Sequence, residues 1–349
     1  MVISASGPVT NAGDLAACQA MLAGGSKSFR AAAMLLPRRV AEPAAALYAF
    51  CRVADDEIDE GEGGPAPLRR LLVRLDDIYA GRPQDFVADR AFAQVVRHYA
   101  IPRALPAALL EGFAWDGEGR RYHDIGALEA YAARVAATVG AMMTLLMGVR
   151  DPVAHARACD LGVAMQLTNI ARDVGTDARM GRIYLPLDWL REEGIDPDAF
   201  LAAPHFTPGL GRVVARLLRV ADQHYRRAEG GIALLPLDCR AGIAAARRVY
   251  AEIGRALERQ GLDSVSRRAV VPMRRKAWLM AQSLSAVALA QPRRPTPPLP
   301  ATAFLVDAVA QAPAPRETLG AARLPERIVR AATLFDRLAR EDSYGALTR

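Results

Sequence analysis

Two acidic segments, more than a hundred residues apart, constrain this chain more than any other feature. One reads RVADDEID and the other reads QLTNIARDVGTD. In each segment two aspartates are four positions apart, Asp55 with Asp59 and Asp173 with Asp177. Positions i and i+4 lie on the same face of a helix. The spacing therefore predicts two helices, each with a pair of carboxylates on one face.

Paired carboxylates need a positive partner. Two bare carboxylates about 5 Å apart repel by roughly 3 kcal/mol at an effective dielectric constant of about 20. Hard divalent cations bind carboxylate oxygens, and Mg²⁺ typically takes one or two carboxylates together with the phosphates of a substrate. Two facing helices of this kind predict a site for Mg²⁺ and a diphosphate.

The first segment carries more than its acidic pair. Arg52 lies three positions before Asp55 and shares its helix face, where a guanidinium would hold phosphate oxygens. Ile58 and the apolar residues 47–51 make the segment too apolar for a free surface helix. The alternative is a solvated acidic helix end, and the apolar neighbours favour the metal site over it.

In the second segment the polar stripe is longer. Its four members, spaced three or four positions apart, are Gln166, Asn169, Asp173 and Asp177. The positions between them include the apolar residues Leu167, Ile170 and Val174. Burying a polar stripe costs free energy unless its groups bind something. A ligand site is the favoured interpretation, and a structural polar network is the alternative.

Composition sets the fold class. Of 349 residues 52% are apolar, alanine, leucine and arginine dominate, and β-branched runs are few, which favours an all-helical protein. The net charge is +7, and Lys27 and Lys276 are the only lysines. Arginine binds phosphate bidentately, although a GC-rich genome would also explain most surface arginines. The arginines are dispersed and no nucleic-acid module is recognisable, so no nucleic-acid partner is expected.

The cysteines and the apolar stretches bear on the cellular compartment. Cys18, Cys51, Cys159 and Cys239 show no metal-binding spacing, so we expect buried free thiols in a reducing compartment. Residues 1–13 lack the basic and apolar parts of a signal peptide. The longest apolar stretch, residues 135–149, is too short to span a bilayer. A cytoplasmic protein, peripherally attached to membranes, is expected.

Glycine and proline divide the chain into helices. Helical periodicity starts near Asp14, and further helices are predicted at about 43–60, 68–80, 88–99, 104–120, 127–149, 152–176, 208–234, 238–261 and 266–290.

Four regions are predicted along the chain. Residues 1–13 form a disordered leader, 14–290 one catalytic domain, 291–300 a proline-rich linker and 301–349 a tail. Within the tail, residues 324–340 carry an apolar stripe with arginines mainly outside it. Such a helix docks on its own domain, on a partner protein or on an anionic membrane.

The motifs resemble those of the squalene/phytoene synthase family over roughly residues 15–290. The segments that carry the resemblance are residues 25–29, 47–56, 131–140, 166–177 and 181–186. The resemblance implies a single-domain, all-α isoprenoid synthase fold of class I around a central cavity. It also implies a prenyl transferase that condenses two allylic diphosphates head to head with Mg²⁺ or Mn²⁺.

The resemblance assigns roles to individual residues by motif position. The implied metal ligands are Asp55, Asp59, Asn169, Asp173 and Asp177. The implied catalytic groups, which contact diphosphates, metals or reacting carbons, are Tyr48, Arg52, Arg172 and Tyr184. The implied substrate-binding residues are Ser26, Ser28, Phe29, Tyr131, Gln166 and Tyr250, of which the last four line the cavity.

Two residues depart from the family pattern, and one apolar segment is expected to line the cavity. These features bear on activity and on the length of the prenyl substrate. Thr176 replaces the usual glutamate but lies off the carboxylate stripe, so activity should survive. Ala137 replaces a frequent glycine, and its methyl group would narrow the prenyl channel. Residues 135–149, with Met142, Met143 and Met147, are expected to form an adaptable apolar wall.

The resemblance favours the phytoene-forming reaction. Two geranylgeranyl diphosphates would give prephytoene diphosphate and then phytoene, with no NADPH, since no GxGxxG fingerprint is present. The alternatives are a squalene-type or dehydrosqualene-type synthase that uses farnesyl diphosphate, a non-catalytic assembly protein with the same fold, and a chain-elongating prenyl transferase. The oily product implies membrane contact, and contact with the next carotenoid enzyme is a further expectation.

Overall fold

The computed structural model describes residues 10–24, 35–59, 64–286 and 296–313. Within these ranges there is no β-strand, and the prediction of an all-α fold is confirmed. The helices are α1 (Ala12–Gly24), α2 (Arg38–Asp59), α3 (Ala66–Tyr79), α4 (Val87–Tyr99), α5 (Ala104–Gly117), α6 (Ile125–Ala132), α7 (Thr138–Leu146), α8 (Pro152–Arg179), α9 (Leu187–Glu192), α10 (Pro197–Ala202), α11 (Pro208–Ile232), α12 (Leu237–Arg259), α13 (Met273–Ala286) and α14 (Ala303–Gln311).

The longest of these helices, α8, lies at the centre of the bundle, packed against α7, α11 and α12. It begins with Pro152 in its first turn, and the Asp151 carboxylate caps it by accepting the Ala154 backbone N–H at 2.8 Å. Helix α11 runs antiparallel to α8: Arg227, near the end of α11, pairs with Asp160 near the start of α8, and the earlier Tyr225 contacts the later Thr168. These helices build the walls of the cavity described below.

Helix α2, which carries the first acidic pair, begins at Arg38, earlier than the predicted start at Pro43. A proline inside a helix leaves the carbonyl four residues earlier without its usual N–H partner. Here that carbonyl belongs to Arg39, and it accepts the Tyr99 hydroxyl at 2.9 Å. The tertiary contact with α4 lets the helix run through Pro43.

The predicted helix over residues 127–149 contains a widened turn. Residues Ala133–Ala137 form π-helical backbone between α6 and α7. Such turns arise as local insertions within α-helices and are frequent at functional sites. Val135 and Ala136 in this turn line the cavity.

Helix α13 begins at Met273, seven residues after the predicted start at 266. The residues before it form a loop, because the Asp263 carboxylate accepts the backbone N–H groups of Val265 and Ser266 at 3.1 and 2.9 Å. Such side-chain bonds compete with helix formation. This loop lies on α8 and contributes to the site.

Sequence periodicity missed three short helices, α9, α10 and α14. Helix α14 follows the proline-rich linker and buries Leu305, Val306 and Val309 against the bundle, where it contacts α5, α7 and α8. The first part of the predicted tail therefore packs on the catalytic domain. The predicted leader up to residue 9, and residues 324–340, lie outside the described residues.

The expectation of free thiols is confirmed. All four cysteines are free, and Cys18, Cys159 and Cys239 are buried. Burial, with the nearby Asp14 carboxylate, raises the pKa of Cys18 to about 11. None of the described helices combines the length and the apolarity needed to cross a membrane.

Candidate active site

In the first motif the charge of Asp59 acts on Asp55, as the helical spacing predicts. Burial, together with the charge of Asp59, raises the pKa of Asp55 to about 6. Arg52 offsets part of this effect from the same helix, at 3.8 Å from Asp55 and 2.6 Å from Asp56. The C-terminal end of α2 thus presents a crowded acidic face.

In the second motif the two aspartates differ. Burial and the charge of Asp173 raise the pKa of Asp177 to about 7. Burial also acts on Asp173, but hydrogen bonds from Arg172 and Arg268 outweigh it and hold the pKa of Asp173 below its usual value. Arg172 Nε donates at 2.9 Å and Arg268 Nε donates at 2.6 Å.

The structure brings the two motifs together. Arg182, just beyond α8, donates to Asp59 of α2 at 2.7 Å. The carboxylate of Asp116, at the end of α5, raises the pKa of both Asp55 and Asp177. Carboxylates from α2, α5 and α8 therefore surround one acidic space.

Asp116 is a site residue that the sequence analysis missed. Tyr131 and Tyr184 donate their hydroxyls to its two carboxylate oxygens at 2.7 and 2.8 Å. The two tyrosine rings stack with centroids 5.3 Å apart, and burial raises the pKa of Asp116. The only sequence signal was an acidic residue in an otherwise apolar helix end, GFAWD.

Arg268 is a second site residue that the sequence did not reveal. It reaches the site because Gly175 lets its loop lie close to α8. The loop before α13 crosses α8 at Gly175, whose backbone N–H donates to the Ser264 carbonyl at 3.0 Å. A Cβ on Gly175 would lie 2.4 Å from the Val265 carbonyl oxygen. This close approach holds Arg268 against Asp173.

Arginines hold several of these carboxylates. Asp59 pairs with Arg182, and Asp173 pairs with both Arg172 and Arg268. In the part of the chain that the structure describes, no three side chains of His, Cys, Asp or Glu form a group that could hold one metal ion.

An apolar cavity, called the tunnel below, runs beside α8 and has about 1170 Å³ of empty space, including a part that is open to solvent. Gln166, Asn169 and Tyr250 line the end near the carboxylates. Residues near the other end, called the far end below, are Met147, Ala154, Arg157 and Leu235. Asn169 lies twelve positions after Arg157 on α8, which corresponds to about 18 Å at 1.5 Å per residue.

Three residues expected along the cavity are not among the residues that line the tunnel. Tyr131 is bonded to Asp116 and is not among the tunnel-lining residues. Ala137 does not line the tunnel either, since it faces Gly162 of α8, so the expected narrowing of the channel is wrong. Met142 is buried elsewhere in the core, whereas Met143 and Met147 line the wall.

The remaining predicted residues are placed as follows. Tyr48 is half-buried on α2 and packs against the core. Thr176 is exposed, off the acidic face of α8, as expected. Ser26, Ser28 and Phe29 lie outside the described residues.

Comparison with known proteins adds to this geometry. Residues 22–275 match the model of the squalene/phytoene synthase family. The chain is 56% identical to phytoene synthase of Rhodobacter capsulatus, over 85% of this chain and 90% of that protein. It is 53% identical to phytoene synthase of Cereibacter sphaeroides, over 86% and 88% of the two chains.

Solved structures are similar as well. A ligand-bound dehydrosqualene synthase matches with a TM-score of 0.72 and 31% identity, over 79% of this chain and 97% of that chain. The squalene synthase HpnC from Alicyclobacillus acidocaldarius matches with a TM-score of 0.66 and 25% identity, over 71% and 94%.

Proposed function

This chain belongs to the squalene/phytoene synthase family, and we propose that it is a phytoene synthase. The family predicted from the sequence motifs is thereby confirmed. The enzyme is a prenyl transferase that joins two geranylgeranyl diphosphates through prephytoene diphosphate and releases phytoene and diphosphate. Two relatives that are more than half identical to this chain bear that name.

The observation that carries the choice of substrate is the distance along α8 between two residues that line the tunnel, Asn169 and Arg157. The sixteen-carbon main chain of a geranylgeranyl group is roughly 19 Å long when extended, with C–C bonds of about 1.5 Å. The corresponding farnesyl chain is roughly 14 Å long on the same basis. The span of about 18 Å from Asn169 to Arg157 fits the longer chain.

The chain's own groups suit the chemistry of allylic ionisation. Arg52, Arg172 and Arg268 bring permanent positive charge to the acidic end, where a departing diphosphate collects negative charge. The apolar tunnel excludes water from a carbocation. The stacked rings of Tyr131 and Tyr184 offer aromatic faces that stabilise a cation by about 2 kcal/mol when desolvated.

Mg²⁺, or Mn²⁺ in its place, is the metal that we propose for this site. Its ligands would be Asp55, Asp59, Asp173 and Asp177, with Asn169 close by. The pKa values of Asp55 and Asp177, raised to about 6 and 7, reflect partly buried carboxylates with other carboxylates close by. Oxygen donors of this kind are those that Mg²⁺ prefers. When bound, the ion neutralises charge on the leaving diphosphate.

Product analysis tests the proposed function. The purified protein is incubated with geranylgeranyl diphosphate or farnesyl diphosphate, each with and without NADPH, and the hydrocarbons are identified by mass. Phytoene from geranylgeranyl diphosphate, unchanged by NADPH, is expected. A reduced product that needs NADPH, or efficient coupling of farnesyl diphosphate alone, would favour the squalene-type or dehydrosqualene-type alternative. No product from either substrate would favour a non-catalytic assembly protein.

Chelation of divalent cations is expected to stop the reaction. The clustered carboxylates and a substrate diphosphate repel one another unless cations lie between them. Phytoene formation is measured after exhaustive EDTA treatment and again after addition of Mg²⁺ or Mn²⁺. Addition of Ca²⁺-saturated EDTA controls for effects of the chelator itself. Full activity in the chelated enzyme would contradict the metal site.

We also propose peripheral attachment to anionic membranes through residues 324–340, which would bring the cavity near a bilayer that accepts the oily product. The same proposal includes contact between this protein and the enzyme that acts on phytoene next. A protein that ends at residue 313 keeps α14, which packs on the bundle.

The shortened protein is expected to retain turnover but to bind phosphatidylglycerol vesicles more weakly than the full chain. Co-sedimentation with vesicles at low and high salt measures this difference, with phosphatidylcholine vesicles as control. Equal binding by the two proteins would reject the attachment through the tail.

A further inference from the structure

A buried arginine interrupts the apolar lining at the far end of the tunnel. Arg157 is only 4% exposed, yet it also lines a second pocket. The other residues that line this second pocket are Val153, Gln223, Arg226, Arg227, Gly230 and Thr296. Arg157 is the one residue that the two linings share, so its side chain separates the tunnel from the second pocket.

The guanidinium of Arg157 is anchored on the side of the second pocket. Its Nε lies 3.0 Å from the carboxylate of Asp160, which is fully buried. Its terminal nitrogens donate to the Thr296 hydroxyl and, at 3.2 Å, to the Pro297 carbonyl. With the charged head held there, the aliphatic stem is the part left to line the tunnel.

The stem has little freedom to move toward α11. A Cβ added to Gly231 would lie 2.3 Å from the Cβ of Arg157, so the two helices touch at this point. Asp160 also pairs with Arg227, at 3.2 Å, and keeps this partner if Arg157 is replaced. The fold is therefore expected to survive replacement of Arg157, because the buried carboxylate stays paired.

We propose that Arg157 limits the length of the prenyl chain that the tunnel accepts. This inference rests on the proposed function, since it concerns the same reaction. The position of Arg157, about 18 Å along α8 from Asn169, is where the last isoprene unit of a geranylgeranyl chain ends. A chain that is one unit longer meets the anchored stem, and removal of the stem joins the tunnel to the second pocket.

Substitutions at position 157 distinguish the effect of the aliphatic stem on substrate length from the effect of the positive charge. Arg157→Ala removes both, and Arg157→Val also ends the stem short while it keeps an apolar side chain in the helix. Arg157→Met keeps an unbranched stem without the charge. Arg227→Met is the matched control, because it removes a cation from the same carboxylate and lines only the second pocket.

The experiment measures kcat/KM by diphosphate release with geranylgeranyl diphosphate and with geranylfarnesyl diphosphate, which is one isoprene unit longer. Circular dichroism and thermal melting show which variants are folded. We expect Arg157→Ala and Arg157→Val to raise the ratio of kcat/KM for geranylfarnesyl diphosphate to kcat/KM for geranylgeranyl diphosphate by about tenfold or more. Discrimination between apolar groups in pockets is of this size. Arg157→Met and Arg227→Met should stay within about threefold of the wild type, well below that scale.

The outcomes separate this inference from the proposed function. If the wild type forms no phytoene from geranylgeranyl diphosphate, the proposed function fails first. If the wild type is active but a folded Arg157→Ala or Arg157→Val variant keeps its substrate ratio, the inference on Arg157 is wrong. An equal change of the substrate ratio in Arg227→Met would also overturn the inference, because the effect would then come from the loss of a cation beside Asp160.

Discussion

Replacement of Asp55 or Asp173 by alanine is expected to lower turnover at saturating Mg²⁺ by about 100-fold or more, the scale of lost electrostatic stabilisation in an active site. These carboxylates belong to facing motifs on α2 and α8, and alanine would remove an oxygen ligand of the proposed cation from one of the two motifs. Asp55 has a pKa raised to about 6 by burial and by Asp59, so its removal relieves repulsion and the fold should remain intact. Phytoene formation and circular dichroism measure the two effects.

Asp76→Ala is the matched control for this experiment. Asp76 lies on α3, where it pairs at the surface with Arg103 at the start of α5, the opposite end of that helix from Asp116. Surface ion pairs of this kind contribute little to stability. The control should keep wild-type turnover, and a tenth or more of the wild-type rate in Asp55→Ala or Asp173→Ala would contradict the metal-site hypothesis.

Local sequence patterns predicted the parts of the fold that depend on helical periodicity. The paired aspartates fall on one face of α2 and of α8 because an i, i+4 spacing fixes that geometry whatever the tertiary structure. The effect of Asp59 on the pKa of Asp55 follows from the same spacing. Helix ends were less certain, as at Pro43, where the Tyr99 hydroxyl supplies the missing partner from another helix.

Tertiary contacts explain what the sequence did not predict. Asp116 belongs to no motif, and it joins the site because the end of α5 meets Tyr131 and Tyr184, which are distant in sequence. Arg268 lies in a region predicted to be helical, and it reaches Asp173 because that region is a loop lying on α8.

The role of Arg157 was equally hidden. In the sequence it is one of many dispersed arginines, and a buried arginine is rare without a partner. Its partners, Asp160 on the same helix and Thr296 beyond the proline-rich linker, become visible only in the folded chain. The depth of the tunnel depends on such distant contacts, so chain length was left open between geranylgeranyl and farnesyl substrates.

Gly175→Ala is expected to have the second large effect, on both stability and turnover. Alanine in a helix interior is favoured over glycine by about 1 kcal/mol. At this position, however, its Cβ would lie 2.4 Å from the Val265 carbonyl oxygen and 2.6 Å from the Val265 Cα. The loop must shift away from α8, and overpacking of this kind destabilises a protein by about 1–3 kcal/mol.

The shift of the loop acts on catalysis through Arg268. The bond from the Gly175 N–H to the Ser264 carbonyl, 3.0 Å long, would be lost or stretched. Arg268 follows four residues later in the same loop and would move away from Asp173. Misplacement of a positioned group by about 1 Å can lower turnover by about 100-fold. Thermal melting and steady-state kinetics with geranylgeranyl diphosphate measure the two effects.

Gly24→Ala tests whether the effect belongs to this contact. Gly24 also lies in a helix, the last residue of α1, but a Cβ there would meet no atom of the described residues within 4 Å. The control should therefore melt at or slightly above the wild-type temperature and keep its turnover, because the alanine gains helix propensity without a clash.

Arg268→Gln is a second control, because it removes the charge that reaches Asp173 without a backbone clash. Turnover should fall in Arg268→Gln with little change in melting temperature, whereas both should fall in Gly175→Ala. Unchanged melting and turnover in Gly175→Ala would mean that the loop does not need its close contact with α8 to position Arg268.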